Sequence, residues 1–268
     1  MKLKEPVTII CLDSLEYHIA KDMAFYKQKH FGKLKVPITE GAGEPATNVV
    51  WTSFSTGKEP ENHKIRYFSI YNNWLLRWLH RFIYLHPNIY RFVAKLNLAE
   101  CAKKAGLKKE PVSAKHIGKT FFDDYESHVI SLPCYNEDAV NYEIRKKLFD
   151  VFQNKMSEEE FMQMNLSAFN SRLERFEKEI NKHELLCVHF FILDSLQHIY
   201  YYDKNKILWW YNYIASRLEP VIKKIKGRVY MISDHGQKKG MHTSYGFWSS
   251  NKGKIKEKSI VNFYRNLL

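Results

Sequence analysis

Four short stretches of the chain hold side chains able to grip a cation or attack an electrophile. Asp194-Ser-Leu-Gln-His198 sets a carboxylate and an imidazole four residues apart, a spacing that puts both on one face of a helix and within reach of one ion. Asp234-His235-Gly236, followed by His242, adds a carboxylate and two imidazoles. With Asp13 the inventory is three carboxylates and three imidazoles, enough ligands for two adjacent divalent ions. Mixed His/Asp sets suit zinc or manganese, whereas magnesium prefers all-oxygen shells. Taken singly, each of these residues is an ordinary core or surface side chain, and only their convergence would make a site. The fourth stretch, Thr47-Asn-Val-Val-Trp-Thr-Ser-Phe-Ser-Thr-Gly57, reads as a helix from about Asn48, ended at Gly57 with Pro60 beyond. A hydroxyl at that N-terminus lies beside unpaired backbone N–H groups, a natural seat for phosphate. A plain N-cap is the alternative role for Thr47.

The elements that must position these residues show in the hydropathy pattern. Val7–Leu12 runs into Asp13, Leu185–Leu193 into Asp194, and Val229–Ser233 into Asp234. Unbroken apolar, β-rich runs suit strands covered on both faces, as in a parallel sheet. Val129–Leu132, ended by Pro133, is a fourth candidate strand. Met162, Leu166, Phe169, Leu173, Phe176 and Ile180 follow a helical period, and Ser157 with Glu160 makes a capping-box start. A second helix is expected from about Asn205 through Leu218, with Pro220 as a kink or break. This alternation predicts an α/β sandwich. Ligands of open parallel sheets collect beyond the carboxyl ends of the strands, where the three Asp residues would meet.

Composition excludes several classes. The chain has 268 residues, 45% of them hydrophobic, with 17 Phe, 17 Tyr and 6 Trp, which rules out a disordered protein. Four scattered cysteines form no CxxC pair, so neither a disulfide framework nor a zinc finger is suggested. No apolar run reaches the ~18 residues of a membrane span. The N-terminal stretch lacks a signal peptide's apolar segment, so a cytoplasmic protein is expected. The formal charge of +13 attracts anions, which include phosphorylated metabolites, nucleic acid and an anionic membrane surface. No nucleic-acid motif accompanies it. Residues 66–120 are aromatic and basic, as in Trp74-Leu-Leu-Arg-Trp-Leu-His-Arg-Phe82. They are expected to form a helical insertion or cap over the site, with an interfacial element as the alternative.

The order of landmarks carries more than any one of them. Asp13 comes first, then Thr47 with Trp51-Thr-Ser-Phe-Ser-Thr-Gly57 and Pro60-x-x-His63-x-Ile65. Asp194-x-x-x-His198 follows, and Ser233-Asp-His-Gly and His242 close the series. This series resembles the alkaline phosphatase superfamily and, within it, the type I phosphodiesterase/nucleotide pyrophosphatase family. The resemblance runs from about residue 7 to 242 and implies an alkaline-phosphatase-like three-layer α/β sandwich with a mostly parallel sheet. It implies one phosphohydrolase domain over residues 1–268 and two divalent ions, zinc or alternatively manganese. Asp13, Thr47, Asp234 and His235 would hold one ion, and Asp194, His198 and His242 the other. Thr47 would be the nucleophile and carry a phosphothreonine intermediate, with a nucleotide or other small phosphate ester as substrate.

Three departures bear on substrate choice. His63-Lys64-Ile65 stands for the usual His-Gly-Ile, and Val49-Val50 for a stretch where relatives often carry proline. Phe68 stands where nucleotide pyrophosphatases have a phosphate-binding asparagine. Asn48, Lys58 and Arg66 are candidates to supply that contact. The sulfatase signature Cys/Ser-x-Pro-x-Arg is absent, and the Asp-Ser-x-x-Gly-His element of phosphomutase relatives is matched only by the shorter Asp194–His198. Phosphomonoesterase, phosphonate hydrolase and phosphomutase activities are the alternatives, as is a non-catalytic binder of anionic polymer or lipid.

Overall fold

The computed structural model describes residues 2–39, 43–71 and 109–267. Its strands are β1 (Val7–Leu12), β2 (His30–Lys35), β3 (Ser69–Tyr71), β4 (Lys109–Pro111) and β5 (Ser127–Ile130). Then come β6 (Leu185–Phe190), β7 (Arg228–Ile232), β8 (Gln237–Lys238), β9 (Met241–His242) and β10 (Tyr245–Ser250). The longer helices are α1 (Thr47–Thr56), α2 (Ala139–Phe152), α3 (Glu158–Glu179), α4 (Ile192–Tyr200) and α5 (Lys204–Ile222). The central sheet has the order β2-β10-β7-β1-β6-β5. At its centre β1 lies parallel to both β6 and β7; β5 is parallel to β6, and β10 is antiparallel to β7 and to β2.

Both faces of this sheet are covered, and the side-chain period of two sorts β1 between them. Ile10 and Leu12 join Phe161, Phe169 and Phe176 of α3 and Ile214 and Leu218 of α5 in one apolar cluster. Val7, Ile9 and Cys11 face the other way, onto Val50, Trp51 and Phe54 of α1 and onto Phe122 and Phe263. The result is a three-layer α/β sandwich with a mostly parallel sheet, as the sequence implied. Burying each of those phenylalanines contributes about 2 kcal/mol.

Register brings the site together. Leu12 pairs with Phe190, and Cys11 with Ile232, so β1, β6 and β7 end level and the chain beyond each emerges side by side. The strand boundaries differ from the hydropathy runs in one instructive place. The apolar run from Leu185 does not continue as strand to Leu193. It turns at Phe191 into α4, and Asp194 sits in that helix's first turn. Ile192 and Leu193 are apolar because the helix buries them, and periodicity cannot tell that from a longer strand. Pro220 neither breaks nor ends α5 early, since the helix runs to Ile222; so close to the terminus it forfeits little of the hydrogen-bond ladder.

The helical insertion expected over residues 66–120 falls mostly on 72–108, outside the described residues. Its flanks pair with each other as the antiparallel ribbon β3–β4. Among the described residues no helix is long and apolar enough to cross a membrane.

Candidate functional site

Helix α1 is buried along nearly its whole length although half its residues carry hydroxyls or amides. It can be buried because three of those hydroxyls are spent on its own carbonyls. Thr52 donates to the Asn48 carbonyl at 2.7 Å, Ser55 to Trp51 at 2.9 Å and Thr56 to Thr52 at 2.7 Å. Gly57, at φ 65°, supplies the left-handed residue that ends the helix. At the opposite end Thr47 opens α1 from an extended Ala46, and its Oγ1 lies 3.3 Å from His235 Nε2.

Around that hydroxyl the structure gathers all six of the Asp and His residues singled out above. His235 Nε2 is 3.2 Å from Asp234 Oδ2 and 3.6 Å from Asp13 Oδ1. His198 and His242 both point Nε2 at Asp194 Oδ1, at 3.5 and 3.8 Å. The His235 and His242 rings stack at 3.8 Å, joining the two halves. Potential ligand atoms of Asp194, His198 and His242 lie within 4.8 Å of one another, as do those of Asp13, Asp194 and His235. Asp194 thus belongs to both groups, whereas the family resemblance assigns it to one.

The chemistry of these donors fits cations. Asp13 and Asp234 are fully buried. Both Asp13 oxygens, Asp194 Oδ1 and Asp234 Oδ2 have no hydrogen-bond partner among the described residues. Buried carboxylates without donors are costly unless neutralised. Burial, with Asp234 and Asp194 close by, pushes the Asp13 carboxyl well above the usual carboxylate range. Burial works the same way on Asp194, but His198, helped by His235 and His242, overrides it and holds that carboxyl well below its ordinary value. His198 is raised in turn, because Asp194 outweighs the burial that would lower it. Burial keeps His235 below the ordinary imidazole value.

Two of the imidazoles are also turned the right way. His242 Nδ1 sits 3.0 Å from the Pro45 carbonyl and His235 Nδ1 3.3 Å from that of Gly236. An Nδ1–H donated to a carbonyl leaves the Nε2 lone pair free for a metal. Gln237 differs: its Nε2 lies 3.1 Å from His198 Nδ1, and an amide N–H donated there leaves the proton on His198 Nε2, so this ring would offer Nε2 to a metal only with that proton lost or the amide turned over. Gly236 is required by close approach, since a Cβ would run into the Glu16 side chain. The loops after β1 and β7 are laced together. Leu15 N–H donates to Ser233 Oγ at 2.9 Å, and Ser14, at φ 63°, directs its N–H to Asp234 Oδ1 at 3.3 Å.

Not every expected contact arrives. Asn48 is buried beside Thr47 with its Nδ2 unpartnered among the described residues. Lys58 and Arg66 instead act on His63, beyond the far end of α1; eleven residues of helical rise put Lys58 roughly 15 Å from Thr47. His63 staples that end: Nε2 is 3.0 Å from Ser53 Oγ, and Nδ1 accepts the Ile65 N–H. Burial, with Arg66 and Lys58 near, lowers its pKa to about 4.

Sequence reasoning also missed His189. It is fully buried on β6 with Nε2 3.3 Å from Asp13 Oδ2 and its ring edge-on to Trp51. Burial, with Arg172 and Arg145 nearby, drives its pKa far down; the ring lies against Asp13, and neither of its nitrogens makes a hydrogen bond among the described residues. An imidazole inside an apolar strand was the available signal, because burying its polar nitrogens is costly.

Comparison with known proteins bears on the whole chain. A family model described as type I phosphodiesterase/nucleotide pyrophosphatase matches residues 41–257. Among solved structures, an inactive variant of murine ectonucleotide pyrophosphatase/phosphodiesterase 5 in complex with AMP is similar in fold. Its TM-score is 0.51 at 11% identity, over 87% of this chain and 57% of that one. A second structure of that murine protein gives 0.49 at 10% identity, with the same coverage of 87% and 57%. This chain therefore spans little more than half the neighbour's length. No curated protein matches it by sequence.

Proposed function

The chain belongs to the type I phosphodiesterase/nucleotide pyrophosphatase family, and from that premise we propose that it is a two-metal hydrolase of phosphate esters. Its substrate in this reading is a phosphodiester or nucleotide pyrophosphate, and Thr47 is the nucleophile. The observation that carries the reading is the convergence of Asp13, Asp194, His198, Asp234, His235 and His242 on one threonine hydroxyl, with buried carboxylate oxygens left unpartnered.

Asp194, His198 and His242 would hold one divalent ion, and Asp13, Asp234 and His235 the other, with Thr47 Oγ1 beside the second. Zinc or manganese suits this donor set. Bound there, the pair of ions would favour the threonine alkoxide and neutralise charge on the transferring phosphoryl group. Thr47 Oγ1 attacks phosphorus in line with the departing oxygen, forming the Thr47 O–P bond as the ester P–O bond breaks. The leaving alcohol or phosphate departs with that electron pair and takes up a proton. Water then cleaves the Thr47 O–P bond, returning the hydroxyl and releasing a phosphomonoester. The loop contacts of Ser14, Ser233 and Gly236 hold the acids in register throughout, and the His189 ring packs against the Asp13 carboxylate.

A nucleotide-like ester is favoured by the AMP complex of the murine neighbour. The test is hydrolysis of bis-p-nitrophenyl phosphate and of p-nitrophenyl phosphate by purified protein with added zinc or manganese. The proposal expects diester turnover that Thr47→Ala lowers at least ~10³-fold, since the nucleophile is lost. Turnover surviving both chelation and Thr47→Ala would overturn it. Faster monoester turnover would move the activity to a phosphomonoesterase on the same residues.

A further inference from the structure

Resting on the reading above, we infer that Arg145 is the chain's own contact to the phosphoryl group, its guanidinium donating to a non-bridging oxygen of the bound ester. Arg145 lies on α2 and reaches toward the chain just beyond β6. Its guanidinium is stacked between two rings, 4.0 Å from the centre of Phe68 and 4.6 Å from that of Phe191. Phe191 directly precedes α4, three residues before Asp194. One edge of the fork is anchored, with Nη2 2.6 Å from Glu137 Oε1. Glu137 is itself held by Asn141, whose Nδ2 donates to Oε1 at 3.2 Å. Nη2 meets Glu137 as an ion pair without hydrogen-bond geometry, and Nη1 is buried with no partner of either kind among the described residues.

That combination is unlike a structural arginine. Arg172, one helix away, spends its Nε, Nη1 and Nη2 on Asp138, Asn141 and the His189 carbonyl. Arg145 has the same five N–H donors and uses one side of the fork. Two aromatic faces and a carboxylate fix its plane, so little freedom is lost when a second anion arrives. Its place is beside the candidate site: the Phe191 ring it covers belongs to the N-cap of the helix that carries Asp194, and its charge acts on both Asp13 and His189. Among the described residues no lysine or arginine pairs with a carboxylate of the cluster, and Arg172 is already spent on other partners. Phe68, whose ring cannot donate to phosphate, supports a side chain that can.

The test uses inorganic phosphate as the probe on the zinc-loaded chain. Arg145→Gln should weaken phosphate binding roughly 10- to 100-fold, the range for a hydrogen bond to a charged group. Bound zinc should stay unchanged, and Arg145→Lys should recover part of the loss. Arg175→Gln, a change at an exposed arginine paired with Asp138, should leave phosphate binding at the wild-type level. Phosphate binding undiminished in Arg145→Gln would overturn the inference. A second measurement needs no variant: phenylglyoxal modification of the wild-type chain, mapped by mass spectrometry, should be slowed by phosphate at Arg145 and not at Arg175. Equal rates at Arg145 with and without phosphate would overturn it equally. If zinc uptake and ester hydrolysis persist in that case, this inference alone falls. A wild-type chain with neither would remove the proposed function and this inference together.

Discussion

Two clusters of buried charge flank strand β6, and they are built on opposite principles. On one side Arg172, hardly exposed, bonds to Asp138, Asn141 and the His189 carbonyl at 2.8 to 3.3 Å. Every strong donor there meets an acceptor. On the other side Asp13, Asp194 and Asp234 crowd together with carboxylate oxygens that meet no donor among the described residues. His189 belongs to both, giving its carbonyl to Arg172 and its ring to Asp13. The first cluster is complete as protein and stabilises the fold. The second leaves carboxylate oxygens without protein partners, and in the proposed function cations complete it.

Mutations should separate the two. The largest effect on stability is expected at the complete cluster. Arg172→Met strips partners from Asp138, Asn141 and a buried carbonyl, and should cost about 3 kcal/mol in urea unfolding. A loss below ~1 kcal/mol would erase the distinction between the clusters. A smaller effect concerns His63, which is also fully partnered. Its pKa in the fold, about 4 against an ordinary 6.5, means that the unfolded chain takes up the proton first as pH falls. The stability tied to its neutral ring is therefore whole above about pH 6.5 and drains away toward pH 4, by roughly 1–2 kcal/mol after solvent screening. Urea midpoints across that window should fall in the wild type and fall less in His63→Gln; parallel curves would contradict the account. The smallest effect has the opposite sign. Asp13 is raised by burial and by Asp234 and Asp194, so keeping it ionised costs stability that grows as pH climbs above its unfolded value. Asp13→Asn should stabilise metal-free protein by about 1 kcal/mol near neutral pH. A metal-free variant less stable than wild type would put Asp13 in the complete class.

The same contrast governs what the sequence disclosed. Local chemistry was legible: Ser157 and Glu160 cap α3 in both directions, Gly57 ends α1, and the Asp194–His198 spacing lies on one helix face. Apolar runs marked β1, β6 and β7 because those strands are covered on both sides; the run Val129–Leu132 overlaps only the end of the edge strand β5, whose first two residues are half-buried and polar. Strands β2 and β10 gave no such signal. β2 alternates exposed residues with half-buried or buried ones at the sheet edge, and one Gly and two Ser among the six residues of β10 break its apolar run. The contacts of Arg145, Arg172 and His189 depend on helices α2 and α3 crossing β6, a long-range geometry that no spacing encodes. Lys58 and Arg66 looked like phosphate ligands by proximity in sequence, and a helix length separates Lys58 from Thr47.

The central claim is that the incomplete cluster is completed by a pair of divalent ions beside Thr47. Counting zinc bound per chain at neutral pH, by elemental analysis after dialysis, tests it most directly. The account predicts two equivalents for the wild type, and at most one for Asp194→Ala, whose carboxylate belongs to both ligand groups. A wild-type chain that retains no stoichiometric zinc or manganese would contradict it.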